Sequence, residues 1–211
     1  MKLSRSLFYS LGCSLLVLGG IGLLLLPIFG RSRENDRKSS CQSNLKQIAL
    51  GVFQYTQDYH EKFPIVAVNE GGVSASNPYG WADALQPYLK STHIYRCPNH
   101  PFVGNDDRPT QPQARNYSDY YYNSRMAGQS QEKISSVASL ITLADGNDGL
   151  DYSNSRYSKK MLPPQWRNDQ NSPAYRHNGG ANYAFADGHV KWLKPEDVSN
   201  NRNGQMTFAN P

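Results

Sequence analysis

The chain has 211 residues, with 22 Lys or Arg against 17 Asp or Glu and a formal charge of +5. Six of the cations, Lys2, Arg5, Arg31, Arg33, Arg37 and Lys38, flank one apolar run, and from residue 39 onward the balance is 16 to 15. A nearly neutral domain with no basic block interleaved with aromatics excludes a nucleic-acid face.

The first element in chain order is that apolar run. No charged side chain occurs between residues 6 and 30, and residues 11–29 read LGCSLLVLGGIGLLLLPIF. Roughly 20 such residues are needed for a helix to cross roughly 30 Å of hydrocarbon, so residues 1–30 are expected to be a single-pass membrane anchor. A cleavable signal has a shorter apolar core and a small-x-small exit, and the segment Leu26-Pro27-Ile28-Phe29-Gly30 offers none. Two Lys or Arg precede the run and four follow it. By the positive-inside rule alone this places the domain in the cytoplasm.

Residues 31–62 continue as an amphipathic helix, with Leu45, Ile48, Ala49, Val52 and Tyr59 on one stripe and Phe53 and Tyr55 at its margin. Only Pro27 and Gly30 separate this helix from the apolar one, so the two form one long helix kinked near Pro27. Residues 63–211 then read as a β-rich globular domain of a size that buries one core. A short helix is expected at 81–90, and strands at 117–123, 139–144, 182–186 and 189–193. By composition 65–80, 99–115 and 146–174 are loops. The fold class is therefore α+β, a long N-terminal helix packed on an antiparallel sheet.

Asp187-Gly188 between two alternating runs predicts a two-residue hairpin turn within residues 182–193. That register pairs Phe185 with Val190 and Tyr183 with Trp192 on one face, and sends Ala184, Ala186, His189 and Lys191 to the other. Tyr117, Tyr120, Tyr121 and Tyr122 fit half-buried sheet positions better than a sugar-stacking surface. Cys41 and Cys97 are an even pair outside the apolar run, which holds Cys13. They permit one disulfide in an oxidising compartment, the other reading being two free thiols.

Chemistry is sparse. His177 and Asp187 have the residue types of a general base and its orienting carboxylate, but Asp187 reads as a turn residue and His177 as the residue that fixes the loop entering the hairpin. No phosphate loop, His-Glu-x-x-His or Gly-x-Ser-x-Gly occurs, so no catalytic residue is assigned. Asp145, Asn147, Asp148 and Asp151 are candidate calcium ligands in a Gly-containing turn. The other reading is an acidic, solvated turn with no cofactor.

Three segments resemble one family. Residues 25–48, with their exit through Pro27 into the charged run and Cys41-Gln42-Ser43-Asn44-Leu45-Lys46-Gln47, are similar to the N-terminal region of prepilin-type proteins. Arg96-Cys97-Pro98 matches their Cys-Pro step. His177, nine residues, then Asp187-Gly188 match their C-terminal His-x9-Asp-Gly element. The family is that of type IV pilin-like proteins, including the pseudopilins of type II secretion. At its start the chain departs from the pattern, since residues 1–9 contain no Gly and the apolar run no Glu. The resemblance implies a non-enzymatic, membrane-anchored structural or assembly subunit, its domain on the extracytoplasmic side, with like subunits or pilus and secretion proteins as partners. The contrasting expectation is a monomeric, membrane-tethered domain that binds a glycan or a metal ion.

Overall fold

The structure is a computed structural model. It describes the backbone of residues 5–67, 78–100, 109–201 and 206–209, and in the first helix the side chains of 14, 16, 18–20 and 32 onward. The chain divides into two compact units, Met1–Asp36 and Arg37–Pro211. Helix α1 runs over Arg5–Asp58. Most side chains of the expected membrane anchor lie outside the described residues; among those described, no helix is long and apolar enough to cross a membrane.

Within the second unit the stripe of α1 decides what the domain is built on. Leu45, Ile48, Ala49, Val52 and Tyr55 are buried, whereas Leu50, Phe53 and Tyr59 are exposed. Tyr55 therefore takes the stripe position expected for Tyr59, which stacks on the Tyr55 ring at 4.1 Å between centroids. The helix ends where His60 and Glu61 take positive φ (57° and 58°). Glu61 N–H then donates back to Thr56 O at 2.9 Å, satisfying a carbonyl of the last turn.

Helix α2 is shorter than expected, Trp81–Ala84, and is followed by a 3-10 turn over Gln86–Tyr88. Pro87 is the cause, because its ring and missing N–H cannot continue an α-helix that began four or more residues earlier.

Five strands form one sheet: β1 Tyr120–Asn123, β2 Ile141–Asp145, β3 Ser158–Lys159, β4 Ala181–Phe185 and β5 Val190–Leu193, in the order β3-β1-β2-β4-β5. All pairs are antiparallel except β1 with β3. The fold is α+β, as the sequence implies. The region expected to be loop at 146–174 contributes β3 and a further helix, α3, over Pro164–Asn168.

The hairpin register differs from the expectation by one residue. Ala184 pairs with Val190, Tyr183 with Lys191 and Asn182 with Trp192. Only Gly188 of the turn has positive φ, at 81°. Gly188 N–H donates to Phe185 O at 2.8 Å and Phe185 N–H to His189 O at 2.9 Å. The loop is thus Ala186-Asp187-Gly188, three residues with Gly in the left-handed position. Two consecutive positive φ values occur instead at Asn178 and Gly179 (52° and 83°), just before β4.

A one-residue shift exchanges the faces of a strand. Ala184, Ala186 and Val190 consequently join the α1 side with Tyr120, Tyr122 and Leu143, while Tyr183 and Phe185 join Tyr121, Ile141, Trp166 and Phe208 on the opposite side. Both faces are covered, and β1, β2 and β4 are buried along their whole length. The tyrosines of β1 are core residues, alternating between the two sides.

Candidate functional site

Cys41 on α1 and Cys97, after the 3-10 turn Thr92–Tyr95, form a disulfide with Cα atoms 5.1 Å apart. Neighbouring polar contacts hold the same two segments together. Asn44 Nδ2 donates to Arg96 O at 2.8 Å, and Tyr120 Oη reaches Cys41 O at 3.3 Å and Arg96 O at 3.4 Å. Spacing of three residues puts Cys41 and Asn44 on one face of a helix, so both address the loop that carries Cys97.

The loop before β4 delivers His177 to the disulfide. His177 N–H donates to Gly180 O at 2.8 Å across the Asn178-Gly179 turn. Its carbonyl accepts from Trp192 Nε1 at 2.7 Å. A Cβ on Gly180 would lie 2.6 Å from the Trp192 ring and from Leu193 O, so this close approach requires Gly. The ring that results is wholly buried, with Nε2 3.5 Å from Cys97 Sγ and 3.4 Å from Asp145 Oδ2. Asp145 Oδ2 also accepts from Asn182 N–H at 2.6 Å.

A second carboxylate lies under the Cys97 loop. Asp119 Oδ2 accepts from Cys97 N–H at 2.8 Å, and Oδ1 accepts from Asn147 Nδ2 at 2.9 Å with His100 Nε2 3.6 Å away. Arg176 closes this side by donating to the carbonyls of Gly146 and of Asn147, the latter at 2.8 Å. Buried carboxylates persist only where donors or cations compensate their lost hydration, and for Asp119 the Cys97 N–H and the Asn147 amide are such donors. Burial, with Asp145 and Asp119 adding their negative charge, pushes the Tyr120 hydroxyl well above its ordinary range, which keeps it a neutral donor.

His177 and Gly188 both meet α1. The first packs on the disulfide; the second accepts from Lys46 Nζ at 2.6 Å. Lys38 lies over the Trp192 ring at 4.7 Å from its centroid. Three segments widely separated in sequence, Cys41 to Lys46, Arg96-Cys97 and His177 to Gly188, thus form one clasp between α1 and the sheet.

Asp187 is not the carboxylate that faces His177. Its carboxylate accepts from its own neighbour, with His189 Nδ1 2.6 Å and His189 N–H 3.1 Å from Oδ1. His177 faces Asp145 instead. Asp119, His100 and Arg176 carry no sequence pattern that would single them out, whereas the Asn178-Gly179 dipeptide was a readable turn signal for where His177 points.

The four calcium candidates are divided among different partners. Asp145 lies at His177, and Asn147 bonds Asp119. Asp148 accepts from Leu150 N–H and Asp151 N–H, both at 3.0 Å, and from Trp166 Nε1 at 3.1 Å. Burial alone would raise the Asp148 carboxyl, but these hydrogen bonds outweigh it and hold the group below its usual range. Asp151 is engaged by Lys159 Nζ at 2.5 Å and by the Tyr157 hydroxyl at 3.0 Å. Among the described residues, the His, Cys and acidic ligand atoms that gather within 4.8 Å of one another belong to Cys41, Cys97 and His177.

No curated protein and no solved structure matches the chain. One family model does: residues 31–96, from the start of the polar part of α1 to the residue before Cys97, are similar to the family described as "Protein of unknown function (DUF1559)".

Proposed function

We propose that this chain is a membrane-anchored, pilin-like structural or assembly subunit without enzymatic activity, its domain held on the extracytoplasmic side. The observation that carries this reading is the clasp. It fixes the polar half of α1 on the sheet through a disulfide suited to an oxidising compartment, and it leaves Leu50, Phe53 and Tyr59 of the same helix exposed. Leu16 and Leu18, in the apolar run, are also exposed. Such surfaces suit lipid or lateral contact with like helices. The prepilin-like segments add support from sequence, and the membrane anchor rests on the length of the uncharged run.

The test is disulfide crosslinking of single cysteines placed along residues 11–26 in native membranes, in a Cys13→Ser background. Homotypic crosslinks recurring with helical period are expected. Their absence at every position overturns assembly through this helix. Protease added outside spheroplasts should degrade the domain, and an intact domain would reverse the orientation.

A second reading has its own observation. Arg115, Asn116, Asp148, Gln165, Trp166 and Asp169 line an open cleft of about 800 Å³, with polar side chains beside an aromatic ring and room for a small glycan. Saturable binding of soluble oligosaccharides that is lost in Asp169→Ala would favour a tethered binding domain.

A further inference from the structure

The disulfide lies where a metal site would. Cys41 Sγ, Cys97 Sγ and His177 Nε2 all fall within 4.8 Å of one another and belong to wholly buried residues. Asp145 Oδ2, outside that mutual set, is 3.4 Å from the same imidazole nitrogen. Two sulfurs, one imidazole and one carboxylate are the donor set of a closed, four-coordinate zinc site.

A second observation concerns the other oxygen of the same carboxylate. Asp145 Oδ1 is buried with no hydrogen-bond partner among the described residues, and neither polar atom of the adjacent Asn182 side chain has one. An unsatisfied carboxylate oxygen in a closed interior is costly, and a coordinated cation removes that cost.

We propose that in the reduced chain Cys41, Cys97 and His177 bind zinc, with Asp145 as the fourth ligand, so that one clasp has two alternative closures. In the oxidised closure the sulfurs bond each other. Reaching the other closure takes two electrons and two protons, delivered by a dithiol that is itself oxidised to a disulfide. The two thiols formed then lose their protons as Zn²⁺ binds. Because all three core ligands are buried, the metal is captured as the chain folds, and its binding energy replaces the cross-link as folding energy. Two thiolates and one carboxylate leave the site with a single net negative charge, and the Arg176 guanidinium lies on the adjoining carbonyls of Gly146 and Asn147.

The test uses the full chain carrying Cys13→Ser, unfolded and refolded in detergent under excess phosphine reductant with Co²⁺ as the spectroscopic probe. One cobalt per chain is expected, with the visible bands of a tetrahedral centre and a thiolate-to-cobalt charge-transfer band, all erased by stoichiometric Zn²⁺. Asp145→Asn should weaken binding by ~10- to 100-fold, and the Cys41→Ser/Cys97→Ser double variant should give no charge-transfer band. Each of three results overturns the proposal: a reduced chain that regains its native circular dichroism with no cobalt retained, a reduced chain that fails to refold with either metal present, or a cobalt spectrum unchanged in the double variant.

Discussion

Both faces of the sheet are closed by apolar packing, but the α1 side adds a covalent and hydrogen-bonded clasp between distant segments. On the α1 side, residues from three distant segments are joined by a disulfide, charge-bearing hydrogen bonds and buried carboxylate-imidazole neighbours. On the opposite side Tyr121 stacks on Phe208 at 5.7 Å between centroids and meets Trp166 edge-on at 5.9 Å, in a cluster held by apolar area. Directional bonds select one placement of a helix, while apolar area stabilises the sheet without selecting so sharply. Fixing α1 in place is the task an anchored subunit sets, and the directional bonds are found there.

The largest effect should strike both faces together. Burial pushes the hydroxyls of Tyr120 and Tyr122 on one face, and of Tyr121 on the other, well above their ordinary value. In the unfolded chain each ionises near 10, so above that pH the unfolded state binds fewer protons than the folded one. Stability is therefore fully present below about pH 10 and falls as pH rises further, by ~1.4 kcal/mol per pH unit for each such tyrosine. Cooperative alkaline unfolding, with tyrosinate absorbance appearing in the same transition, is the expected outcome of a pH titration.

Phe208→Ala should affect the face opposite α1 alone. Phe208 is fully buried, and its truncation is expected to cost about 3–5 kcal/mol in urea unfolding. Reducing or deleting the Cys41–Cys97 bond, which spans 56 residues of sequence, should cost about 2–4 kcal/mol. If the clasp positions α1, reduction should also raise hydrogen exchange around residues 41–46 before it does so at β1 and β2. Lys46→Met removes the bond to Gly188 O and should cost about 1 kcal/mol, felt mainly as faster exchange at the hairpin turn. Equal loss of protection on both faces after the last two changes would erase the distinction.

The periodic elements on both faces were more legible in the sequence than the clasp. The α1 stripe and four of the strands follow from periodicity, because burial of one helix face imposes a period near 3.6. Strand β3, at two residues, is too short to show any period, and α3 opens on Pro163-Pro164 inside a stretch that reads as loop. The hairpin was misregistered because Asp-Gly is compatible with both two- and three-residue loops, and the choice lies in long-range packing. For the site, Cys41 and Cys97 were legible as a candidate pair and His177 as a motif residue. That His177 and Asp145 join the pair was not, since they are neighbours only through the β2–β4 pairing and the turn at Asn178-Gly179.

The clasp stands or falls on which sulfurs are joined. Protein purified without reductant, unfolded in alkylating agent and digested, should yield one cross-linked peptide pair containing Cys41 and Cys97 by mass spectrometry, with Cys13 alkylated. Recovery of Cys41 and Cys97 as separate alkylated peptides would contradict the account.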